Sequence, residues 1–195
     1  MTYVFLFFLI LFLLWGFLVY SRKSLWDVVH RNLLDLEDAY EGRVIRRSFL
    51  ARPVFHGKIN GSEITINFSS EKLQGRRITY IDISFNIRSA FNCTIAANTW
   101  LKKQQDGQIE DFTIVQNDQG KEFLIRPASD KKVKAFIQSE EFRNIINAFD
   151  GLAYLFLNRN GLICEFETED MAKSTEFEQL NLKLNHLKEL EKVIH

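Results

Sequence analysis

The chain has 195 residues, 25 of them basic and 25 acidic. It therefore has no global field favouring nucleic acid or acidic substrates, and no nucleic-acid partner is expected. Setting aside a hydrophobic leader leaves roughly 150–170 residues, one ordinary domain that needs no metal or disulfide staple. Cys93 and Cys164 form no CxxC and suit a reducing compartment, while their spacing leaves open whether they pair.

From Tyr3 to Tyr20 every residue is apolar or aromatic apart from Gly16, and none is charged. At 1.5 Å per residue that run gives roughly 27 Å of helix, close to the hydrocarbon thickness of a bilayer. A cleaved signal peptide has a basic leading segment, a shorter apolar core and a small-residue exit. Here only Met-Thr precedes the run, and Ser21-Arg22-Lys23 follows it. Tyr3, Trp15, Tyr20 and Trp26 stand at or near its ends, where amphipathic rings settle among headgroups. The expectation is a retained single-pass anchor over residues 1–23, with residues 3–20 in the lipid bilayer. The competing reading is a core helix buried on every side.

Arg22, Lys23 and Arg31, then Arg43, Arg46 and Arg47, all follow the run. The positive-inside rule then puts the soluble domain in the cytoplasm and the protein in the cell membrane. The triplets Asn60-Gly-Ser62, Asn67-Phe-Ser69 and Asn92-Cys-Thr94 match the glycosylation pattern that would argue for the other side.

A juxtamembrane helix is predicted over 24–42, with Ser24 and Asp27 as a capping box and Gly42 as a left-handed C-cap. Val29, Leu33, Leu36 and Tyr40 form its apolar stripe, and His30 reads as a surface or capping histidine. Residues 43–195 then form a single α+β domain. Asn60-Gly61 suits a two-residue type I′ turn, which pairs Phe55 with Ile66 and Gly57 with Ile64 on one face. On the other face it pairs His56 with Thr65 and Lys58 with Glu63, so apolar and charged pairs separate cleanly. RRITYIDISFNI continues the alternation. CTIAANTWL, QIEDFTIVQ and KEFLIRP supply further strands, with turns at Asp106-Gly107 and Gln119-Gly120, making an antiparallel meander.

A helix pair follows: Lys131–Gln138, capped by Ser129 or Asp130, and a second helix capped by Ser139 that carries Phe142, Ile145, Ile146 and Phe149 to Gly151. LAYLFLNRNGLICEFETE repeats the hairpin logic. With Asn160-Gly161 as its turn, Leu157 pairs with Cys164, Leu155 with Phe166 and Tyr154 with Glu167, which makes Cys164 a buried structural thiol. A long amphipathic helix starts at the box Thr175…Glu178, with Phe177, Leu180, Leu184, Leu187 and Ile194 as its stripe and Leu190 and Val193 beside it.

No phosphate loop, dinucleotide fingerprint, HExxH, zinc spacing or nucleophile elbow is present. His186 and Glu189 lie one turn apart but lack a third ligand, and Asp82 sits on an alternating strand, so no catalytic residue, metal or cofactor is assigned. Between Gly42 and Ser62 there is no acidic residue, while Arg43, Arg46, Arg47, Arg52 and Lys58 are present. With Arg22 and Lys23, the three arginines Arg43, Arg46 and Arg47 are candidate contacts for anionic lipid headgroups.

The order of anchor, Gly57-Lys-Ile-Asn-Gly61 hairpin, meander, helix pair, hairpin and final amphipathic helix resembles bacterial single-pass membrane proteins of uncharacterised function. That resemblance rests on turns and alternations and implies no activity. The function expected is a membrane-tethered, non-enzymatic interaction or assembly module, with an unknown protein partner or self-association. The alternative is a domain that binds a lipid or small ligand at the membrane.

Overall fold

The computed structural model describes residues 2–73, 75–104 and 111–194. Its first element, α1 (Thr2–Ala39), is a single helix of 38 residues, roughly 57 Å long. The helix predicted over 24–42 is its second half, because nothing breaks the backbone at Ser24. Ser24 lies mid-helix, and Asp27 accepts from Lys23 and Arg46 side chains instead of closing a cap. At the other end Glu41 takes the left-handed conformation (φ 43°), and the Gly42 amide donates to the Glu37 carbonyl at 2.9 Å. Gly42 is needed for room: a Cβ there would stand 2.3 Å from the Phe55 ring.

Among the described residues nine strands follow: β1 (Arg43–Ile45), β2 (Val54–Ile59), β3 (Ser62–Leu73), β4 (Arg76–Phe85), β5 (Cys93–Ala97), β6 (Thr113–Gln116), β7 (Glu122–Arg126), β8 (Leu152–Asn158) and β9 (Gly161–Thr168). They form one antiparallel sheet in the order β1-β2-β3-β4-β9-β8-β5-β7-β6. The meander is therefore interrupted, with the late hairpin β8–β9 wedged between β4 and β5. The remaining helices are α2 (Asn98–Gln104), α3 (Lys131–Gln138), α4 (Glu140–Ala148), α5 (Met171–Ser174) and α6 (Phe177–Val193).

The β2–β3 register is the predicted one, Phe55 to Ile66, His56 to Thr65, Gly57 to Ile64 and Lys58 to Glu63. Asn60 and Gly61 both have positive φ (50° and 84°), as a type I′ turn requires. The β8–β9 hairpin slips by two residues from expectation: Leu157 pairs with Leu162, Leu155 with Cys164 and Tyr154 with Glu165. The Asn158 side chain accepts from the Asn160 amide at 2.7 Å, placing the turn at Arg159-Asn160. A shift of two keeps every side chain on its face, so Cys164 is still buried. CTIAANTWL is strand only as far as Ala97; Asn98 begins α2, which stacks Trp100 on Tyr154 at 5.0 Å. The turn expected at Asp106-Gly107 lies outside the described residues, and Gly120 turns with φ 78°.

Asp130 caps α3 by accepting from the Lys132 and Val133 amides, and Ser139 caps α4 by accepting from Phe142. The box at Thr175…Glu178 does not form. Glu176 is the N-cap of α6 and makes no side-chain cap bond, while Thr175 is fully buried and its hydroxyl donates to the Met171 carbonyl at 2.8 Å.

One core joins the inner sheet face to the second half of α1 and to α3–α6. Trp26, Val29, Leu33 and Leu36 from α1, and Tyr40 just beyond its end, meet Phe55, Ile66, Ile81, Ile83, Cys164 and Phe166 from the sheet and Leu180, Leu184, Leu187 and Leu190 from α6. Polar bonds tie α1 in as well. Asn32 donates to the Ala172 carbonyl (2.9 Å) and the Thr175 hydroxyl (3.1 Å), and the Tyr40 hydroxyl donates to Asn181. Cys93 and Cys164 are both buried and unpaired, and burial raises both thiols, Cys93 to about 12.

Candidate membrane interface

The first half of α1 stands outside the core of the fold. Its most apolar window has a mean hydropathy of 2.6 and no buried residue. Phe5, Phe8, Phe12, Trp15, Phe17 and Tyr20 are all exposed, and Tyr20 is 69% exposed where Trp26, less than two turns later, is 4%. This excludes the buried-core reading of the run. By length and composition the helix can cross a membrane. The change from exposed to buried falls between Tyr20 and Trp26, so the charged residues of that turn mark where a bilayer surface would lie.

Of the five residues expected to meet headgroups, Arg22 and Lys23 occupy this turn. Arg46 is brought to it from the loop after β1. Its guanidinium donates to Asp27 at 2.6 Å, to the Ala51 carbonyl at 3.1 Å and to the Phe49 carbonyl. Lys23 donates to the other Asp27 oxygen at 2.9 Å. These bonds, Lys23 first and then Arg46, hold the Asp27 carboxyl below its usual range. Arg46 is thus a structural tie of the loop. Arg43 is exposed on β1, and Arg47 is exposed in the same loop as Phe49, which is 58% exposed.

Two cations outside that set face the same turn. Arg52 donates to the Phe68 carbonyl (2.6 Å) and the Ser70 hydroxyl (2.7 Å), and its guanidinium lies 5.7 Å from the Trp26 ring centroid. Arg77 donates to the same Ser70 oxygen from Nε (3.2 Å) and Nη2 (3.0 Å). Arg52 was visible within the acid-free stretch. Arg77 stands far from it in sequence and arrives through the pairing of β3 with β4.

The other candidate side chains are scattered. His56 Nδ1 lies 3.1 Å from Thr65 Oγ1 on the exposed face, and His30 is half-buried in α1 rather than at the surface. The His186–Glu189 doublet is divided: the His186 ring stands edge-on to Phe149 at 5.9 Å, and Glu189 pairs with Lys192 at 2.8 Å. Among the described residues no three His, Cys, Asp or Glu side chains could hold a metal ion. Asp82 does sit on the outer face, where Ser69 donates to it at 3.0 Å and Glu165 is its cross-strand partner. Burial raises Asp82 to about 6 against the opposing pull of Ser69 and Arg52. Burial, with Asp82 and Glu71 adding to it, raises Glu165 to about 7.

No family model and no curated protein matches the chain. Among solved structures it is similar to the mycobacterial trehalose monomycolate transport factor A, TtfA, with a TM-score of 0.57 and 10% identity. The match covers 86% of this chain and 94% of that one. At this identity the likeness concerns the fold: the two chains share an architecture through nearly all of the solved TtfA chain.

Proposed function

We propose that the protein is a membrane-tethered, non-enzymatic interaction or assembly module, anchored once in the cell membrane with its folded domain in the cytoplasm. The observation that carries this reading is the double use of α1, one unbroken helix whose first half is exposed apolar surface and whose second half is core. A domain joined to its anchor by a flexible linker samples many heights and orientations. This domain is continuous with its anchor through Trp26, Val29 and Leu33, so it presents its surface at a fixed height and angle. Such rigidity suits holding a partner in place. A chain of the same architecture, TtfA, is named a transport factor, which agrees with a role other than catalysis.

A groove of about 800 Å³ between α4 and α6, lined by Glu141, Asn144, Ile145, His186, Glu189 and Lys192 among others, offers a surface for a partner. A photo-crosslinking side chain at Asn144 or Lys192 of the full chain in intact cells tests the reading. One discrete adduct is expected, lost when the apolar run is replaced by a soluble tag. An adduct of twice the chain mass identifies self-association. Absence of any discrete adduct at either position overturns the proposal.

A further inference from the structure

Beneath the apolar run, Leu18, Ser21, Arg22, Leu25 and Trp26 form one face of α1 and wall a cleft of about 570 Å³. Arg52, Arg77 and Thr79 form its second wall, and Thr168, Glu169, Asp170 and Met171 its third. The helical face starts within the exposed apolar run and ends at buried Trp26, so the cleft spans the level at which headgroups would lie.

Its polar wall is built from guanidinium groups. Ser70 Oγ receives both Arg52 and Arg77, which brings two like charges to a single neutral oxygen. A guanidinium carries five N–H donors, and the Phe68 carbonyl and Ser70 hydroxyl use only some of them. Among the described residues neither arginine, nor Arg22, is within ion-pair distance of a carboxylate. Burial lowers the Arg52 pKa, and repulsion from Arg77 and Arg22 lowers it further, with Asp82 acting the other way. Two carboxylates line the cleft as well. Asp170 accepts from the Lys173 amide at 3.1 Å, and Glu169 is exposed. Three cations against two anions leave the site positive, and its free donors have the planar geometry that recognises phosphate oxygens. Leu18 and Leu25 add an exposed apolar strip beside those donors.

We infer that this cleft holds the headgroup of an anionic phospholipid, with its phosphate on Arg52, Arg77 and Arg22 and an acyl chain along Leu18 and Leu25. The inference rests on α1 being a membrane anchor, and it adds lipid selectivity to the tethering role. A soluble phosphate would use the arginines and leave the apolar strip uncovered, whereas a lipid uses both.

The test is native mass spectrometry of the full chain in detergent with phosphatidylglycerol or phosphatidylcholine at equal concentration. Phosphatidylglycerol adducts should exceed phosphatidylcholine adducts at least about fivefold. Arg22→Gln and Arg77→Gln should each lower them about fivefold, the factor for one cation near an anionic surface. Arg52 is left in place because it also ties down β3. Arg143→Gln with Arg159→Gln, both exposed and outside the cleft lining, serves as a control that leaves the adducts unchanged. Equal adducts with both lipids, or full adducts in Arg22→Gln and Arg77→Gln, overturn the inference. Displacement of the lipid by millimolar inorganic phosphate, with phosphate adducts in its place, reassigns the site to a soluble anion and overturns it too. Flotation with phosphatidylcholine liposomes separates the two readings. A chain that does not float has no anchor; one that floats without headgroup preference has an anchor and no lipid site.

Discussion

Arg46 donates to Asp27 at 2.6 Å across nineteen residues of sequence, fastening the loop after β1 to the turn of α1 just beyond the apolar run. The Arg46 side chain is only 11% exposed, so this pair is better shielded than the Lys23–Asp27 pair beside it. Asp27→Asn keeps the shape but removes the charge that two cations share. Faster amide exchange and protease cleavage are expected at 46–53, with the sheet core unchanged. Unaltered protection of that loop would show that its carbonyl bonds to Arg46 suffice alone. The Asp27 pKa is depressed, so its contribution is complete at neutral pH and is lost only as pH falls through the acid range.

Phe55 occupies the space that two glycines leave empty. A Cβ on Gly42 would lie 2.3 Å from its ring and 2.9 Å from the His56 carbonyl oxygen, and one on Gly57 would lie 2.6 Å from the ring and 2.8 Å from the Tyr40 carbonyl oxygen. Ring and backbone are both fully packed there, so neither can give way freely. Gly42→Ala and Gly57→Ala should each cost about 1–3 kcal/mol through overpacking. Gly61→Ala meets nothing within 4 Å, and its cost is the left-handed backbone alone, about 1–2 kcal/mol. The double variant Gly57→Ala/Phe55→Leu separates the causes in thermal melts. Relief of the Gly57→Ala penalty by the smaller side chain is expected, and no relief would place the strain in the backbone.

These glycines show where the sequence was readable. The first hairpin was legible residue by residue because Asn60 and Gly61 both accept positive φ and every cross-strand pair agreed with that turn. In the second hairpin the same dipeptide misled by two residues, because the Asn158 side chain makes a local bond that moves the turn. The burial of Cys164 was still readable, since a two-residue slip preserves the face. The insertion of β8–β9 between β4 and β5 left no local trace, because both pairings join strands distant in sequence. Ser24 and Asp27 imitate a helix start, and only the burial of Trp26 and Val29 against the sheet shows that the helix runs through them. Arg77 escaped notice for a similar reason: nothing near it in sequence reveals that Ser70 draws it to Arg52.

Asp82 and Glu165, cross-strand partners on the outer face, give stability a pH dependence. Their folded pKa values, about 6 and about 7, lie above the ordinary 3.8 and 4.5. The folded state therefore holds these protons more tightly than the unfolded state. Stability from this pair is greatest below pH 4, declines as pH rises through 4–7 and is level above that window. Glu165→Gln should raise Tm at pH 8 and flatten the profile between pH 5 and 8, leaving the burial-driven shift of Asp82 in place. For a chain of this size each kcal/mol corresponds to roughly 2–4 °C. A variant that melts below the parent at pH 8 would show that the carboxylate makes a favourable contact outweighing its burial.

The proposed orientation rests on the same turn that carries the candidate lipid site. Arg22, Lys23 and Arg31 lie within twelve residues of Tyr20, close enough to hold that end of the span in the cytoplasm. The pairing of Lys23 with Asp27 does not reverse this, because carboxylates weigh little in the rule. Ile194 is buried and its carbonyl accepts from the Ala90 amide at 2.9 Å, so a reporter tag at the carboxyl terminus needs a flexible spacer. With such a tag, protease added to intact spheroplasts should leave it whole and should remove it after lysis. Arg22→Glu combined with Lys23→Glu should expose a fraction of the tag before lysis, because the charge bias then rests on Arg31 and on residues held in the folded domain. Cleavage of the parent tag in intact spheroplasts would put the domain outside, where the buried thiols of Cys93 and Cys164 stay protected by the core.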